Sequence, residues 1–227
     1  MKTGQYNHSA HLVAIDCIIL GYENTELKLL LFNRKIEPAK GGWSLVGGWV
    51  EPDESVETAA RRVTYKISGL KEVYLEQVHV FSEPQRDPGG RVISVAFYAL
   101  MPIDKHDREL VESHGAKWFS LNELPELIFD HQEMLNMALE KLRLKASFEL
   151  IGRSLLPEKF TLLQIRQLYN AIYQKEFDPG NFRKKILSIK VLEKLTSKNT
   201  SESRKGAFNY RFKKVLPPYR VNALVKY

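Results

Sequence analysis

Cysteine is nearly absent: Cys17 is the single thiol in 227 residues. One thiol excludes an intrachain disulfide and a cysteine-built zinc site. Cys17 lies inside the apolar run H-L-V-A-I-D-C-I-I-L, which reads as core, and a reducing, cytoplasmic setting fits. Long hydrophobic runs are missing too. No uninterrupted apolar stretch approaches the roughly 18 residues of a membrane span, so no membrane partner is expected. The opening M-K-T-G-Q-Y-N-H is polar and carries no secretory h-region. Neither a P-loop, a Gly-rich dinucleotide fingerprint nor a zinc-ligand cluster occurs. Acidic residues are scarce in one half only. Residues 146–227 hold 17 Lys+Arg and 6 Asp+Glu, a balance of +11; of the chain's 34 and 27, this leaves 17 and 21 for residues 1–145, a balance of −4. Such asymmetry points to a polyanion met by the C-terminal half, with a merely well-solvated basic domain as the plainer alternative.

The length predicts two domains. Residues 11–20 read as a buried strand in which Asp16 must find partners or face a cavity. A structural, hydrogen-bonded aspartate and a ligand contact both remain open there. A turn is expected over Gly21 to Thr25, then a strand over Glu26 to Arg34, then a polar loop ending in Gly41-Gly42. W-S-L-V-G-G-W-V leads into residues 48–70, G-W-V-E-P-D-E-S-V-E-T-A-A-R-R-V-T-Y-K-I-S-G-L. Within it Val56, Ala59, Ala60, Val63 and Ile67 follow helical spacing for one buried face. Asp53 or Ser55 can cap its start and Gly69 its end. Strand-like runs follow over Lys71 to Phe81 and Arg91 to Met101, around the loop E-P-Q-R-D-P-G-G. A-K-W-F-S-L-N-E-L-P reads as a strand and turn. Asp130 is expected to cap a helix to about Lys145, with Met134 and Met137 in its core-facing stripe.

Pro157 marks a break. Beyond it Leu162, Ile165, Leu168, Tyr169 and Ile172 share one helical face. In D-P-G-N-F-R-K-K-I-L-S-I-K, Asp178 is a good N-cap and Pro179 suits the first helical position. Phe182, Ile186 and Ile189 form its apolar stripe. Asn181, Lys184 and Ser188 lie opposite, with Arg183 and Lys185 on the flanks, a face free of acids. A polar hairpin follows: V-L-E-K-L-T, the tip S-K-N-T-S-E-S-R-K-G, and A-F-N-Y-R-F-K-K. Two short helices and such a hairpin outline a winged helix, whose second helix enters the DNA major groove. Asn181, Lys184 and Ser188 are the candidates for base edges. Arg183, Lys185, Arg204 and Lys205 are the candidates for phosphates.

The frame Gly48, Glu54, Arg62, Gly69-Leu70 resembles the Nudix box, with which Nudix pyrophosphohydrolases hold Mg²⁺ on a diphosphate. In that motif a glutamate follows the arginine at once and two more stand four and five places after it. Here those positions hold Val63, Lys66 and Ile67. Mg²⁺ requires oxygen ligands in near-octahedral array. Valine and isoleucine offer none, and a lysine brings charge of the wrong sign. Val46 stands where the family usually has proline. R-D-P-G-G-R-V-I-S-V-A-F-Y looks like a signature of the ADP-ribose-pyrophosphatase-like branch. Together with F-T-L-L-Q-I-R-Q-L-Y, D-P-G-N-F-R-K-K-I-L and R-K-G-A-F-N-Y-R-F, the order of parts is similar to that of Nudix-related (NrtR-like) transcriptional regulators over nearly the whole chain. Its wing departs in having R-K-G for G-R-P.

That resemblance implies an α/β (α+β) chain with a Nudix α/β/α sandwich over 1–147 and a winged helix-turn-helix over 148–227. It implies a homodimeric regulator of a metabolic, sugar-utilisation operon that binds a pseudo-palindromic DNA operator. The effector would be an ADP-ribose-type nucleotide or, as in the arabinose-responsive AraR-type branch, L-arabinose. Asp16, Arg34, Glu51, Arg62, Arg86 and Asp87 are the candidate effector contacts, on segments that converge in the Nudix fold. Arg62 and Arg86 have the alternative of only bracing loops. No cofactor, bound metal or catalytic residue is expected. Two other classes stay open: a hydrolase of nucleoside diphosphate derivatives drawing metal ligands from Glu51, Glu54 and Glu57, and a Nudix-like RNA-binding module.

Overall fold

A computed structural model describes residues 9–71, 73–103, 108–148, 151–200 and 206–213. The first module comprises β1 (Leu12–Glu23), β2 (Glu26–Asn33), β3 (Trp43–Ser44), β4 (Val46–Trp49), α1 (Val56–Ser68), β5 (Tyr74–Phe81), β6 (Val92–Pro102), α2 (Arg108–Ser113), β7 (Ala116–Ser120) and α3 (His131–Phe148). The sheet order is β3-β2-β1-β6-β5, with β4 also pairing β1 and β7 pairing β2. β1 and β6 run parallel from Leu12↔Val92 to Tyr22↔Pro102 and form the spine.

Successive side chains of a strand point to opposite faces. Ile15, Cys17 and Ile19 therefore meet Ala59, Ala60, Val63 and Ile67 of α1 in one core. Ile18 and Leu20 meet Met134, Leu135, Ala138 and Leu142 of α3 in the other. The result is an α/β/α sandwich, and the same alternation puts Asp16 on the α3 side. Each fully buried Val or Ile on α1 contributes roughly 1.5–3 kcal/mol. Ser55 rather than Asp53 caps this helix, its Oγ accepting from the Thr58 amide at 3.2 Å. Gly69 closes it at φ 71°. The turn expected over Gly21 to Thr25 shrinks to Asn24-Thr25, both at positive φ, because β1 and β2 stay paired up to Glu23↔Glu26. A two-residue hairpin with both φ positive matches the twist of its strands. Helix α2 was not legible, being too short to show a period.

The second module has a 3-10 turn (Ile151–Ser154), α4 (Leu162–Tyr173), α5 (Pro179–Ser188), β8 (Leu192–Asn199) and β9 (Ala207–Phe212). Thr161 and Gln164 form a reciprocal capping box on α4. The Asp178 carboxylate accepts from the Asn181 amide at 2.8 Å, with Pro179 opening α5. β8 and β9 pair antiparallel from Leu192↔Phe212 to Asn199↔Ala207, which completes a winged helix. Ile165, Leu168, Tyr169, Ile172, Phe182 and Ile186 are buried, in the same apolar cluster as Ile18, Leu20 and α3. The two modules thus share a continuous core. Ile189 is only half-buried, at the C-cap of α5. Among the described residues no helix is long and apolar enough to cross a membrane.

Candidate effector cleft and nucleic-acid interface

A cleft of about 360 Å³ opens where β1, β2, β4, the β5–β6 loop and the start of α3 converge. Asp16, Arg34, Arg86 and Asp87 line it, as do Phe32, Ile36, Trp49, Phe129 and His131. Its rim is apolar: Ile36 is 64% and Trp49 50% exposed. The floor is polar and tightly bonded. Asp16, 8% exposed, accepts a 2.5 Å bond from Ser94 Oγ. Gly47 lets β4 close over it, since a Cβ there would fall 2.6 Å from Asp16 Oδ1. Arg86 makes two parallel 2.7 Å bonds to the Asp130 carboxylate and lies 3.8 Å from Asp16 Oδ2. Asp130 stands before α3 as expected, with its backbone carbonyl accepting from Glu133 and Met134, but its carboxylate is engaged by Arg86. Arg34 Nε donates to the carbonyls of Pro38 at 2.6 Å and Ile36 at 3.2 Å, with its guanidinium 5.4 Å from the Phe129 ring centre. Asp87 accepts from the Gly89 amide at 2.7 Å and so shapes the R-D-P loop.

His131 is the buried group at the centre. Its Nδ1 accepts from the Leu45 amide at 3.1 Å, and its Nε2 lies 3.8 Å from Asp16 Oδ1. Burial lowers its pKa, against the raising effect of Asp16 and Asp130, which makes the ring neutral near pH 7. With Nδ1 accepting, the proton sits on Nε2 and faces Asp16.

Glu51, Arg62 and Lys66 do not join this lining. Arg62 donates to both Glu54 oxygens at 3.0 and 2.5 Å and to the Trp49 carbonyl at 2.9 Å. Glu54 also accepts from the Glu51 amide at 3.0 Å. Arg62 thus braces the loop, and its bonds hold the Glu54 carboxyl below the usual range. The residues standing where the motif has glutamates are turned to other work. Val63 and Ile67, 8% and 5% exposed, pack into the α1 core, and Lys66 is exposed. A Cβ on Gly48 would lie 2.8 Å from Val63 Cγ2, so the loop backbone rests against this valine. Among the described residues no group of three or more His, Cys, Asp or Glu side chains is placed to hold a metal ion. The packed Val63 and Ile67 side chains offer Mg²⁺ no oxygen.

At the far end of the chain, α5 buries Phe182 and Ile186 and leaves Asn181, Arg183, Lys184 and Ser188 exposed, with Lys185 half-buried. Ser188 Oγ donates to the Lys185 carbonyl at 2.7 Å. On the hairpin, Lys194 and Lys198 stand over the Phe208 ring at 3.5 and 5.0 Å. Arg211 pairs with Glu193. Arg204 and Lys205 lie outside the described residues. Residues 10–138 match the NUDIX domain, and residues 152–212 match the NrtR DNA-binding winged helix domain. The chain belongs to the NrtR-like branch of the Nudix family.

Its relatives include the "ADPR responsive transcriptional repressor NtrR" of Acinetobacter baylyi, 29% identical over 215 residues, 92% of this chain and 86% of the relative. An ADP-ribose pyrophosphatase of Methanocaldococcus jannaschii is 40% identical over 133 residues, 57% of this chain and 73% of the relative. The crystal structure of Shewanella oneidensis NrtR with a 27mer DNA is similar at TM-score 0.78 and 28% identity, covering 88% of this chain and 93% of that one. The NUDIX domain of the same protein, complexed with ADP ribose, gives TM-score 0.54 at 28% identity over 62% and 94%. In this NrtR-like chain, four of the six candidates named from the sequence line the cleft, and Ser94, Phe129 and His131 were not among those named. An aspartate breaking an apolar strand was the one available signal, since a buried carboxylate demands donors. Nothing in the sequence says that those donors come from β6 and the start of α3.

Proposed function

We propose that the protein is a DNA-binding transcriptional regulator whose Nudix-like cleft binds an ADP-ribose-type nucleotide without hydrolysing it. The acid-free, exposed face of α5, carried on a winged helix, is the observation that supports DNA binding. A simple hydrolase has no use for such a face. Residues 1–147 are the effector module and 148–227 the DNA-binding module. The working unit is a homodimer on a pseudo-palindromic operator, because one recognition helix reads only a few base pairs. A regulator of this kind works in the cytoplasm, where the DNA is.

The cleft suits a nucleotide. Arg34 and Arg86 offer forked donors for phosphate oxygens, Asp16 accepts from hydroxyls, and Trp49 and Phe129 offer ring faces to a base or sugar. The Acinetobacter relative named as ADPR-responsive and the Shewanella NUDIX domain complexed with ADP ribose support that choice. L-Arabinose, and with it a sugar-utilisation operon, is the other ligand to test, since an uncharged pentose would use Asp16 and Asp87 more than the arginines. The pyrophosphatase relative favours a second reading, hydrolysis of a nucleoside diphosphate derivative. Against it stand Val63 and Ile67 in the core, where no metal can use them.

Selection of binding sites from random duplexes, followed by thermal shift with ADP-ribose and L-arabinose, tests the proposal. A ligand selective for the folded state raises the unfolding midpoint. Enrichment of a symmetric sequence and a shift with ADP-ribose are expected. A pool without symmetric enrichment, with affinity for bulk DNA that does not fall with salt, sinks the regulator reading.

A further inference from the structure

One helix connects the cleft to the recognition helix, and both of its ends are bonded to what they would have to coordinate. At its start, Asp130 takes both Arg86 bonds, and His131 accepts the Leu45 amide and faces Asp16. Toward its end, Arg143 donates to the Ile172 carbonyl at 3.0 Å and to Gln174 Oε1 at 2.6 Å. Tyr173 OH donates to the Arg143 carbonyl at 2.7 Å, and Tyr169 OH to the Ala146 carbonyl at 3.2 Å. Ile172, Tyr173 and Gln174 close α4, directly ahead of the loop into α5. On either side of Arg143, Lys141 and Lys145 of α3 pair with Glu76 of β5. An α-helix rises about 1.5 Å per residue, so 18 residues form a rod on the order of 27 Å long. It is held at its start to the cleft and over its last two turns to both the sheet and the winged helix.

We infer that the Arg86–Asp130 pair is the latch through which an anionic effector in the cleft controls the position of α5; the inference rests on the cleft being the effector site. Arg86 is buried, with its side chain 4% exposed, and its fork is already committed to Asp130. Phosphate oxygens match the same fork as a carboxylate does. A phosphate-bearing ligand that reaches Arg86 therefore competes with Asp130 and removes the bond that seats the start of α3. Sliding of α3 along its own axis as a rod, with the long Lys141 and Lys145 side chains following Glu76, then passes through Arg143 and Tyr173 to α4 and α5. Packed elements respond in discrete rearrangements, so a small shift at the cleft becomes a change in recognition-helix placement. An uncharged sugar bound through Asp16 would leave the latch closed. Asp130 and Arg143 are in this scheme positioning residues: neither has to contact the operator.

Coupling between two sites is reciprocal. The measurement is the affinity for ADP-ribose with and without the tightest duplex recovered by random-sequence selection, and the affinity for that duplex with and without saturating ADP-ribose. Wild type should show the same factor, tenfold or more, in both directions. Asp130→Asn should still bind ADP-ribose, as tightly as wild type or more so, with the factor reduced to twofold or less. Arg143→Ala should leave ADP-ribose affinity of the free protein unchanged and also reduce the factor. Arg143 lies far from the cleft, so this second variant tests the relay even if Asp130→Asn folds poorly. Undiminished coupling in either folded variant overturns the latch while leaving the regulator reading intact. Failure of the wild type to bind ADP-ribose or any selected duplex instead removes the functional reading on which the latch rests.

Discussion

His131 illustrates how burial gives a side chain a role that its sequence neighbours do not announce. Its pKa is lowered chiefly by burial, below the ordinary 6.5. A depressed pKa means that the unfolded chain takes up the proton first as pH falls. Stability is therefore intact above 6.5 and lost as the pH drops through that value toward the folded pKa. His131→Asn keeps an acceptor for the Leu45 amide and removes the titration. Its unfolding temperature should fall less than that of the wild type between about pH 7 and pH 5. Identical slopes in scanning fluorimetry would show that the ring does not titrate against folding. The two arginines singled out in the sequence separate on the same scale. Both brace structure through carboxylates, but Arg86 does so at the floor of the cleft and Arg62 on the loop outside it.

Helices α3 and α5 carry the two consequences that belong to elements. Helix α3 is fastened to the sheet by Glu76, which accepts from Tyr74 OH at 2.5 Å, from Tyr98 OH at 3.0 Å and from Lys145. Burial alone would raise the Glu76 pKa; the bonds from Lys145, Tyr74 and Tyr98 outweigh it and bring it to about 2. This stabilisation is fully present above the ordinary value of 4.5 and is lost as pH falls through about 2. The cluster is partly open to solvent, so screening reduces what that shift contributes to stability. Glu76→Gln should cost about 1–2 kcal/mol at neutral pH, read from urea unfolding with unchanged slope. A loss below about 0.5 kcal/mol would mark the cluster as an ordinary surface pair. On α5, the base-reading and phosphate roles are separable. Asn181→Ala should cost about 1–3 kcal/mol for the selected duplex and little for random DNA. Arg183→Ala should weaken both alike and lower the salt slope by about one contact. The reverse pattern in a fluorescence-anisotropy titration would exchange the assignments.

At the scale of the molecule, the charge imbalance and the shared core belong together. A basic winged helix joined to a Nudix sandwich by continuous apolar packing moves with it rather than as a tethered tail. Sedimentation equilibrium should report a dimer, and the selected duplex should bind with one dimer across two half-sites about one helical turn, or a multiple of it, apart. A monomer that binds single half-sites with full specificity contradicts this. Incubation with Mg²⁺ or Mn²⁺ and ADP-ribose should release no product above background. Robust turnover abolished by Glu54→Gln would restore the hydrolase reading, since Glu54 is the box carboxylate bonded to Arg62.

The sequence by itself determined most of the helices and strands and their kinds, the short α2 excepted. Apolar spacing of 3.6 or 2 residues marks which face of an element is buried, whatever it packs against, and caps such as Ser55, Thr161 and Asp178 act within a few residues of chain. It also determined, through the motif frames, the family. The boundaries of β1 and the two-residue turn after it came from pairing with β2 and β6, which strand propensity does not encode. Only the tertiary structure decided which charged residues meet. Asp16, Arg86 and Asp130 are separated by 70 and 44 positions and touch because the parallel β1–β6 pairing and the packing of α3 bring their elements to one edge of the sheet. Long-range electrostatic partners carry no local signal, because a carboxylate in a strand reads the same in sequence whether its donor arrives from the next turn or from the far end of the domain.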